Sequence, residues 1–440
     1  MRTRALIAMV LVGSIIPATG LGQGLPITDP ATVGLSEARL GRLEEVVQGY
    51  VDDQTVAGAV TLIARRGRQA HLRTYGMADR GDGTPMRSDT IFRIASMTKP
   101  ITSVAVLMLY EEGHFKLNDP VGQYLPELAS LDVLTAAPGG GFQRVPARRP
   151  ITIRHLLTHT SGIGYRFLGD LGGNPKLRRL AELYGAAGVA DGLSEHDGTI
   201  ADLVAALGGL PLLHEPGEAF SYGLSDDVLG RLVEVVSGQS FDEFLRTRLF
   251  APLGMHDTFF YVPEAKASRM ASIYTPGASG LAEVDGTVAG EHLVYSSTYS
   301  TGGPRRNFSG GAGLSSTAHD YSRFLQMLLN GGELDGARIL SPMTVDLMRT
   351  DQIGDVPAGS VVQPGSAGFG LGVAVRGGPA VDGELGSAGA YYWSGFFNTN
   401  FWIDPTEQLI GILMVQVFPG ASDIQEKFRL MAYQTIVERD

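Results

Sequence analysis

The segment Ile91-Phe92-Arg93-Ile94-Ala95-Ser96-Met97-Thr98-Lys99 marks the point where the hydrophobic pattern of the chain changes. Before it, residues 59–64 are apolar and β-branched and residues 69–75 alternate, which predicts two strands joined by a turn at residues 66–68. After it, apolar residues recur at helical spacing and the connecting segments are long. A strand-rich beginning is therefore followed by a helix-rich middle.

Strands are predicted again only near the end of the chain, at residues 369–375, 397–403 and 409–417. Helical spacing predicts one helix that begins after Ser36 and another over residues 424–436. The simplest architecture is an antiparallel sheet built from both ends of the chain, flanked by the terminal helices, with the middle as a helical insertion. We therefore predict an α/β fold of the α+β type.

This architecture divides the chain into two domains. We predict a sheet domain formed by residues 25–95 and 300–440 and a helical insertion domain formed by residues 96–299. Three segments rich in Gly, Pro and Ser are predicted to be long loops that serve as cleft walls or lids: residues 135–150, 274–311 and 354–368.

Composition narrows the possible functions. The 440 residues are 44% hydrophobic and 18% charged, as expected of a globular protein. The net charge of −11 opposes binding to nucleic acid or anionic lipid, so we expect a neutral or cationic small-molecule substrate. The absence of cysteine excludes disulfides and thiolate metal sites. No cofactor is predicted, and the oligomeric state is left open.

The N-terminus predicts export. Arg2 and Arg4 precede an apolar run over residues 5–17, and small residues follow, which is typical of a secretory signal peptide at residues 1–22. A membrane anchor is the alternative, but it needs about 20 apolar residues. We expect a periplasmic or secreted protein with no membrane span in the mature chain.

Ser96 and Lys99 are the first candidates for chemistry. Three residues apart on a helix, their side chains lie on one face within mutual reach. A lysine that burial keeps neutral can take the proton of a serine hydroxyl and make it a nucleophile. A helix cap followed by a solvated lysine is the alternative, but the surroundings of Lys99 are apolar. Pro100 lacks an N–H group, so we expect the first turn to be irregular.

Two further segments can complete such a site. Tyr222 ends a loop before a predicted helix, where a phenol can shuttle a proton between nucleophile and leaving group. Trp393-Ser394-Gly395 precedes a predicted strand, and an edge strand there can offer a backbone N–H for an oxyanion hole. Surface or packing roles are the alternatives for both.

At these three places the sequence resembles the penicillin-recognising serine hydrolases, the superfamily of class C β-lactamases, DD-peptidases and family VIII carboxylesterases. The Ser-x-x-Lys pair is a known signature of β-lactamases and penicillin-binding proteins. The likeness covers the chain from about Gly34 to Val437. Segments that look like recurrent segments of the superfamily are residues 91–99, 117–120, 153–162 and 310–314.

The resemblance implies a role for each candidate. Ser96 is the acylated nucleophile, Lys99 its general base and Tyr222 the partner acid or base. The backbone amides of Ser96 and Phe396 form the oxyanion hole. The fold implied is an α/β sheet domain plus an all-helical domain, with the site between them.

Substrate binding is implied for Trp393, Ser394, Gly395 and Leu224, where the sequence departs from the β-lactamases. Tyr222-Gly223-Leu224 stands where class C enzymes carry Tyr-x-Asn, and Trp393 replaces the lysine of Lys-Thr-Gly. Losing one charge-assisted hydrogen bond costs about 1.5–3 kcal/mol, enough to weaken recognition of a substrate carboxylate. These departures look instead like family VIII carboxylesterases.

We therefore predict a serine hydrolase that cleaves short-chain carboxylic esters. A β-lactamase or DD-peptidase of class C type is the first alternative, and a non-catalytic binding protein of the same fold is the second. A metal site at His155 and His159 is set aside because no acidic residue completes a zinc-protease pattern, and both histidines are expected to be structural.

Overall fold

A computed structural model describes residues 24–171, 173–278, 280–357, 359, 368–420 and 422–439. The predicted signal peptide, residues 1–22, lies outside the described residues. Within the described part, no helix combines the length and the apolar character needed to cross a membrane.

One eight-stranded antiparallel sheet forms the framework. Its strands are β1 Gly58–Arg65, β2 Arg68–Asp79, β3 Thr84–Pro85, β4 Gly368–Phe369, β5 Ala374–Val375, β6 Tyr391–Ser394, β7 Asn400–Asp404 and β8 Leu409–Met414. Their spatial order is β4-β5-β6-β7-β8-β1-β2-β3. The first and last long strands are thus neighbours, and the sheet unites both ends of the chain, as expected.

The sheet is covered on both faces. Every residue of β1 is buried, and alternate side chains enter two different cores. Val60 and Leu62 belong to the larger core, whereas Ala59 and Ile63 pack with residues of the terminal helices such as Leu43. This two-sided burial explains why the sequence of β1 is a continuous apolar run rather than an alternating one.

Twelve α-helices lie in the described residues. They are α1 Glu37–Asp52, α2 Thr98–Glu111, α3 Ile153–Leu157, α4 Pro175–Ala186, α5 Ile200–Gly208, α6 Ser225–Ser237, α7 Phe241–Leu245, α8 Glu264–Ala267, α9 Ala318–Leu329, α10 Pro342–Met348, α11 Pro379–Asp382 and α12 Ile424–Gln434. The α+β fold class is confirmed. The two-domain boundaries stay a prediction.

Some predicted strand boundaries are wrong. Residues 369–375 form two short strands, β4 and β5, because the chain turns back between them with Gly372 at φ +84°. Residues 397–399 belong to a turn before β7, in which Asn398 has φ +69°. Apolar composition indicated burial correctly at these places, but it did not reveal where the backbone turns.

Two of the predicted loops contain short hairpins. Residues 135–150 include much of the pair Asp132–Ala136 and Phe142–Pro146. Residues 274–311 hold Tyr274–Gly277 paired with Gly280–Glu283, and Thr287–Ala289 paired with Val294–Ser296. These strands are short and largely exposed, so burial imposes little apolar pattern on them. Most of the third predicted loop, residues 354–368, lies outside the described residues.

Candidate active site

Ser96 lies in a single turn of 3-10 helix, Ala95–Met97, directly before α2. The sequence predicted that Ser96 itself would open the helix, with an irregular first turn. The observed turn is tighter than an α-helix, and Pro100 has no N–H to donate to the Ser96 carbonyl. The Tyr321 hydroxyl donates to the Met97 carbonyl at 2.9 Å and so helps to fix this turn.

Lys99 is fully buried in the first turn of α2, and its side-chain nitrogen has three oxygen partners. Nζ lies 3.3 Å from Oγ of Ser96, 2.8 Å from the hydroxyl of Tyr165 and 2.7 Å from the carbonyl oxygen of Gly311. The structure thus brings the two residues of the Ser-x-x-Lys pair together with a tyrosine that sequence reasoning missed.

Tyr165 is that missed residue. It is buried among apolar and acidic groups, and this burial raises the pKa of its phenol well above the usual value. The phenol therefore stays protonated at neutral pH and receives a hydrogen bond from Lys99. Tyr165 lies three positions beyond the segment 153–162 that carried the resemblance, and a lone tyrosine gives no sequence signal of its own.

Tyr222 lies against the same lysine. The centre of its ring is 4.7 Å from Nζ of Lys99, and its hydroxyl accepts a hydrogen bond from Nε1 of Trp393 at 3.3 Å. The next residue, Gly223, runs against the backbone of Ile163, where a side chain would collide with the carbonyl oxygen. Glycine is therefore needed for Tyr222 to reach the site.

The structure does not support the predicted substrate-binding role of Leu224. It is fully buried as the residue before α6 and does not line the cavity beside Ser96. Its side chain packs in the core and therefore has no access to a bound substrate. Trp393, Ser394 and Gly395, the other predicted substrate-binding residues, do line the cavity.

Strand β6 carries Trp393-Ser394 to the nucleophile. The sequence predicted an edge strand at residues 397–403, but β7 is paired on both sides and the strand β6 itself was missed. Tyr391 and Tyr392 pair with β5 on one side and β7 on the other, whereas Trp393-Ser394 pairs only with β7. A Cβ on Gly395 would lie 2.5 Å from the carbonyl oxygen of Ile94, so glycine permits a close approach to the Ser96 turn.

The backbone amide of Phe396 comes directly after Gly395. In the described part of the chain it donates to no hydrogen-bond acceptor. An N–H group left unbonded at the wall of a cavity is what an oxyanion hole requires. Its assignment to that role, together with the Ser96 amide, stays a prediction.

Two adjacent aspartates at the start of α6 lie behind the lysine. Asp227 is buried and accepts hydrogen bonds from Oγ of Ser309 at 2.6 Å and from the Gly311 amide at 3.4 Å. Burial raises the pKa of Asp227 to about 6. Because the Gly311 carbonyl receives Lys99, this carboxyl helps to hold one of the oxygen partners of Nζ in place.

Asp226, the aspartate next to Asp227, faces His159. Nε2 of His159 lies 3.2 Å from Oδ2 of Asp226, and both side chains are almost completely buried. The His159 ring packs 4.8 Å from the ring of Tyr222, centre to centre. Burial lowers the pKa of His159 and the carboxylate opposes that effect. His155 instead caps α3 together with Thr152. The structural role expected for both histidines stays a prediction.

Ser96 opens into a cavity of about 520 Å³. Most of its wall is apolar or aromatic, and the lining residues other than Ser96 are Tyr165, Phe167, Asp170, Leu171, Asp191, Leu193, Tyr222, Leu293, Ala312, Tyr392, Trp393, Ser394, Gly395, Phe396 and Phe418. None of these is lysine or arginine. The wall therefore suits an uncharged acyl or alcohol group and offers no cation to a substrate carboxylate.

The two acidic residues of the wall differ. Asp191 is buried and accepts hydrogen bonds from the backbone amides of Arg166 and Phe167 at 2.8 and 3.0 Å. Burial raises the pKa of Asp191 to about 7. Asp170 is exposed at the mouth of the cavity. In the described residues, the group of side chains that could hold a metal ion is this aspartate with Glu291 and His292.

Comparisons with known proteins agree with this geometry. The sequence profile of the family described as Beta-lactamase matches residues 43–435. Protein Rv1367c of Mycobacterium tuberculosis is 37% identical over 86% of this chain and 90% of its own length. Esterase EstB of Burkholderia gladioli is 32% identical over the same shares of the two chains.

A solved structure shows the same likeness in three dimensions. EstCE1, described as a hydrolase with promiscuous acyltransferase activity, superposes with a TM-score of 0.75 and 26% identity, over 91% of this chain and 99% of its own. The chain therefore belongs to the beta-lactamase family of serine hydrolases. The resemblance stated from the motifs is confirmed.

Proposed function

We propose that this chain is a serine hydrolase that cleaves short-chain carboxylic esters through an acyl-enzyme on Ser96. The observation that carries the proposal is the placement of Oγ of Ser96 3.3 Å from Nζ of a buried lysine, at the wall of an apolar cavity. Relatives described as esterases support the same substrate class.

The acylation step follows from these positions. Lys99 in its neutral form takes the proton of Ser96 as Oγ attacks the ester carbonyl carbon. The resulting oxyanion is stabilised by the amides of Ser96 and Phe396. The tetrahedral intermediate collapses when the phenol of Tyr222 protonates the alkoxide, which leaves as the alcohol. The protonated Lys99 then returns a proton to the Tyr222 phenolate, so both groups are restored for the second half of the reaction.

Deacylation repeats these roles with water. A water molecule loses a proton to the same base and attacks the acyl carbon, and the bond to Oγ of Ser96 breaks. The carboxylic acid departs as Tyr222 gives its proton to Oγ of Ser96, and Lys99 passes the proton taken from water to Tyr222. Tyr165 holds Lys99 through the hydrogen bond of 2.8 Å throughout both steps.

The composition of the cavity wall favours esters over β-lactams. A β-lactam antibiotic carries a carboxylate, and the residues that line the cavity include Trp393 but no lysine or arginine. Burying an unpaired carboxylate is costly. We also propose that the chain is exported after removal of residues 1–22, because Arg2, Arg4 and the apolar run that follows have the pattern of a signal peptide.

A side-by-side rate comparison tests the proposal. Purified wild type and Ser96→Ala are assayed on p-nitrophenyl acetate, p-nitrophenyl butyrate and the cephalosporin nitrocefin. We expect ester turnover that falls by at least about 10³-fold in Ser96→Ala, since the nucleophile is lost, and slow turnover of nitrocefin. Equal ester turnover in the two proteins would contradict the role of Ser96.

Two other outcomes identify the alternatives. Efficient nitrocefin hydrolysis with poor ester turnover would indicate a β-lactamase. Absence of any turnover, together with no covalent labelling of Ser96 by a fluorophosphonate, would indicate a binding protein, because that reagent requires an activated serine.

A further inference from the structure

Three metal-type ligands converge at the mouth of the cavity from two separate segments. Asp170 is the last residue of the 3-10 turn Arg166–Asp170, and Glu291 and His292 lie in the turn between the strands Thr287–Ala289 and Val294–Ser296. One ligand atom from each of the three side chains lies within 4.8 Å of the others. We propose that Asp170, Glu291 and His292 bind a divalent transition-metal ion, with zinc as the best match.

The surroundings of the His292 imidazole indicate that this side chain binds a metal ion. The side chain of His292 is 7% exposed, and its Nε2 is buried without a hydrogen-bond partner anywhere in the described part of the chain. A buried polar atom without a partner is uncommon in native proteins and calls for an explanation. Nε2 lies 3.7 Å from Oε1 of Glu291 and therefore faces the cluster.

The carboxylates of Asp170 and Glu291 are also arranged to bind a metal ion. Oδ2 of Asp170 accepts hydrogen bonds from the backbone amides of His292 and Leu293 at 3.1 and 3.0 Å, which fixes the side chain and leaves Oδ1 available. In the described residues, neither Asp170 nor Glu291 forms an ion pair with a lysine or arginine. The side chain of Arg166 lies nearby but donates to the backbone carbonyl of Glu291.

The chemical types of the three side chains indicate which ion they would bind. One imidazole and two carboxylates suit zinc and related ions, whereas calcium and magnesium prefer oxygen ligands alone. Ligand atoms on a tetrahedral zinc ion lie about 3–3.5 Å apart. The side chain of Glu291 is 76% exposed, so it can rotate to close the set at little cost.

Binding would change access to Ser96. Asp170 and Leu293 both line the cavity, and they belong to the two segments that the ion would join. An occupied site therefore ties these segments together at the entrance. We expect zinc to hinder long acyl chains more than acetyl groups, and to stabilise the folded chain because the ligands are assembled only in the native state.

Calorimetric titration of zinc chloride tests the proposal directly. The full chain is produced without a polyhistidine tag and treated with EDTA before titration. We expect one Zn²⁺ per chain in wild type, at least about tenfold weaker binding in Glu291→Gln and in His292→Gln, and unchanged binding in the control His114→Gln. His114 is a suitable control because its Nε2 also lies near a glutamate, at 3.3 Å from Glu112.

The outcomes separate this proposal from the proposed function. Ser96→Ala should bind zinc as tightly as wild type, since Ser96 contributes no ligand. No zinc uptake by wild type, or equal uptake by Glu291→Gln, would overturn the site, and Glu291→Gln is expected to fold because that side chain is exposed. An unchanged ratio of p-nitrophenyl octanoate to acetate turnover on zinc binding would overturn the effect on entry.

Discussion

At the scale of single residues, the site depends on how Lys99 is held. Its nitrogen contacts Ser96, Tyr165 and the Gly311 carbonyl, and the ring of Tyr222 lies beside it. Two phenols thus share one lysine, and they have different partners. The hydroxyl of Tyr165 accepts a hydrogen bond from Lys99, whereas the hydroxyl of Tyr222 accepts one from the indole of Trp393. This difference predicts separable roles, with Tyr165 positioning the base and Tyr222 transferring protons.

Replacing Tyr165 with Phe tests the positioning role. The change leaves one buried N–H donor of Lys99 without its acceptor, which costs about 1–3 kcal/mol, so we expect kcat on p-nitrophenyl butyrate to fall by at least about fivefold. The pH profile of kcat should shift as well, because the variant removes one of the three oxygen atoms that surround Nζ of Lys99.

A matched control is Tyr433→Phe. Tyr433 is also buried and hydrogen-bonded, but its partner is Asp404 and it packs in the core that contains the terminal helices. Loss of a buried hydroxyl alone should therefore leave the pH profile unchanged. An equal shift in both variants would contradict a specific role for Tyr165.

The Ser96-Lys99 pair could be predicted because its geometry is local. A separation of three positions on one helical turn brings the two side chains together independently of the rest of the fold. Tyr165 could not be predicted, because its contact with Lys99 depends on how a segment 66 residues away packs on α2. The exclusion of Leu224 from the cavity likewise depends on packing and has no sequence signal.

At the scale of elements, the site forms where β6 meets the 3-10 turn of Ser96. The outer half of β6, Trp393-Ser394, has no strand beyond it, and the Ser96 turn takes that place beside Gly395. The sequence indicated both segments through their motifs, but it predicted neither the strand β6 nor the short length of β5 beside it. Strand length depends on the turn at Gly372, which composition did not locate.

Gly395→Ala tests this junction. A methyl group there would meet the Ile94 carbonyl oxygen at 2.5 Å and also Oγ1 of Thr399, so β6 must shift away from Ser96. A displacement of about 1 Å at a catalytic site can cost about 10²-fold in rate. We expect a loss of that order in kcat/KM on p-nitrophenyl butyrate.

The control for this change is Gly49→Ala. Gly49 lies inside α1, and a Cβ there would meet nothing within 4 Å. Alanine in a helix interior is favoured over glycine by about 0.5–1 kcal/mol, so this variant should keep its activity and gain stability. Full activity in Gly395→Ala would show that the close approach is not required.

At the scale of the whole molecule, burial of acidic groups links stability to pH. Burial raises the pKa of several carboxyls, among them Asp191 to about 7 and Asp227 and Asp320 to about 6. A raised pKa means that the folded state binds the proton more tightly than the unfolded state. The stability that each group contributes is therefore present at low pH and is lost as the pH rises through the folded-state value.

Asp191→Asn tests this linkage. The variant cannot ionise at this position, so its Tm relative to wild type should be higher at pH 8 than at pH 5, by about 2–4 °C. Thermal unfolding of both proteins at the two pH values gives the difference directly. A difference that does not change with pH, or that changes in the opposite direction, would contradict the assignment for Asp191.

The strand order has a consequence for synthesis of the chain. β8 pairs with both β7 and β1, so it separates the first long strand from every other strand that follows the helical region. A nascent chain that has emerged only as far as residue 404 therefore has no means of completing the sheet. Folding must wait until almost the whole chain is free, and a chain truncated before β8 should be cleared by proteases rather than accumulate as a partial enzyme.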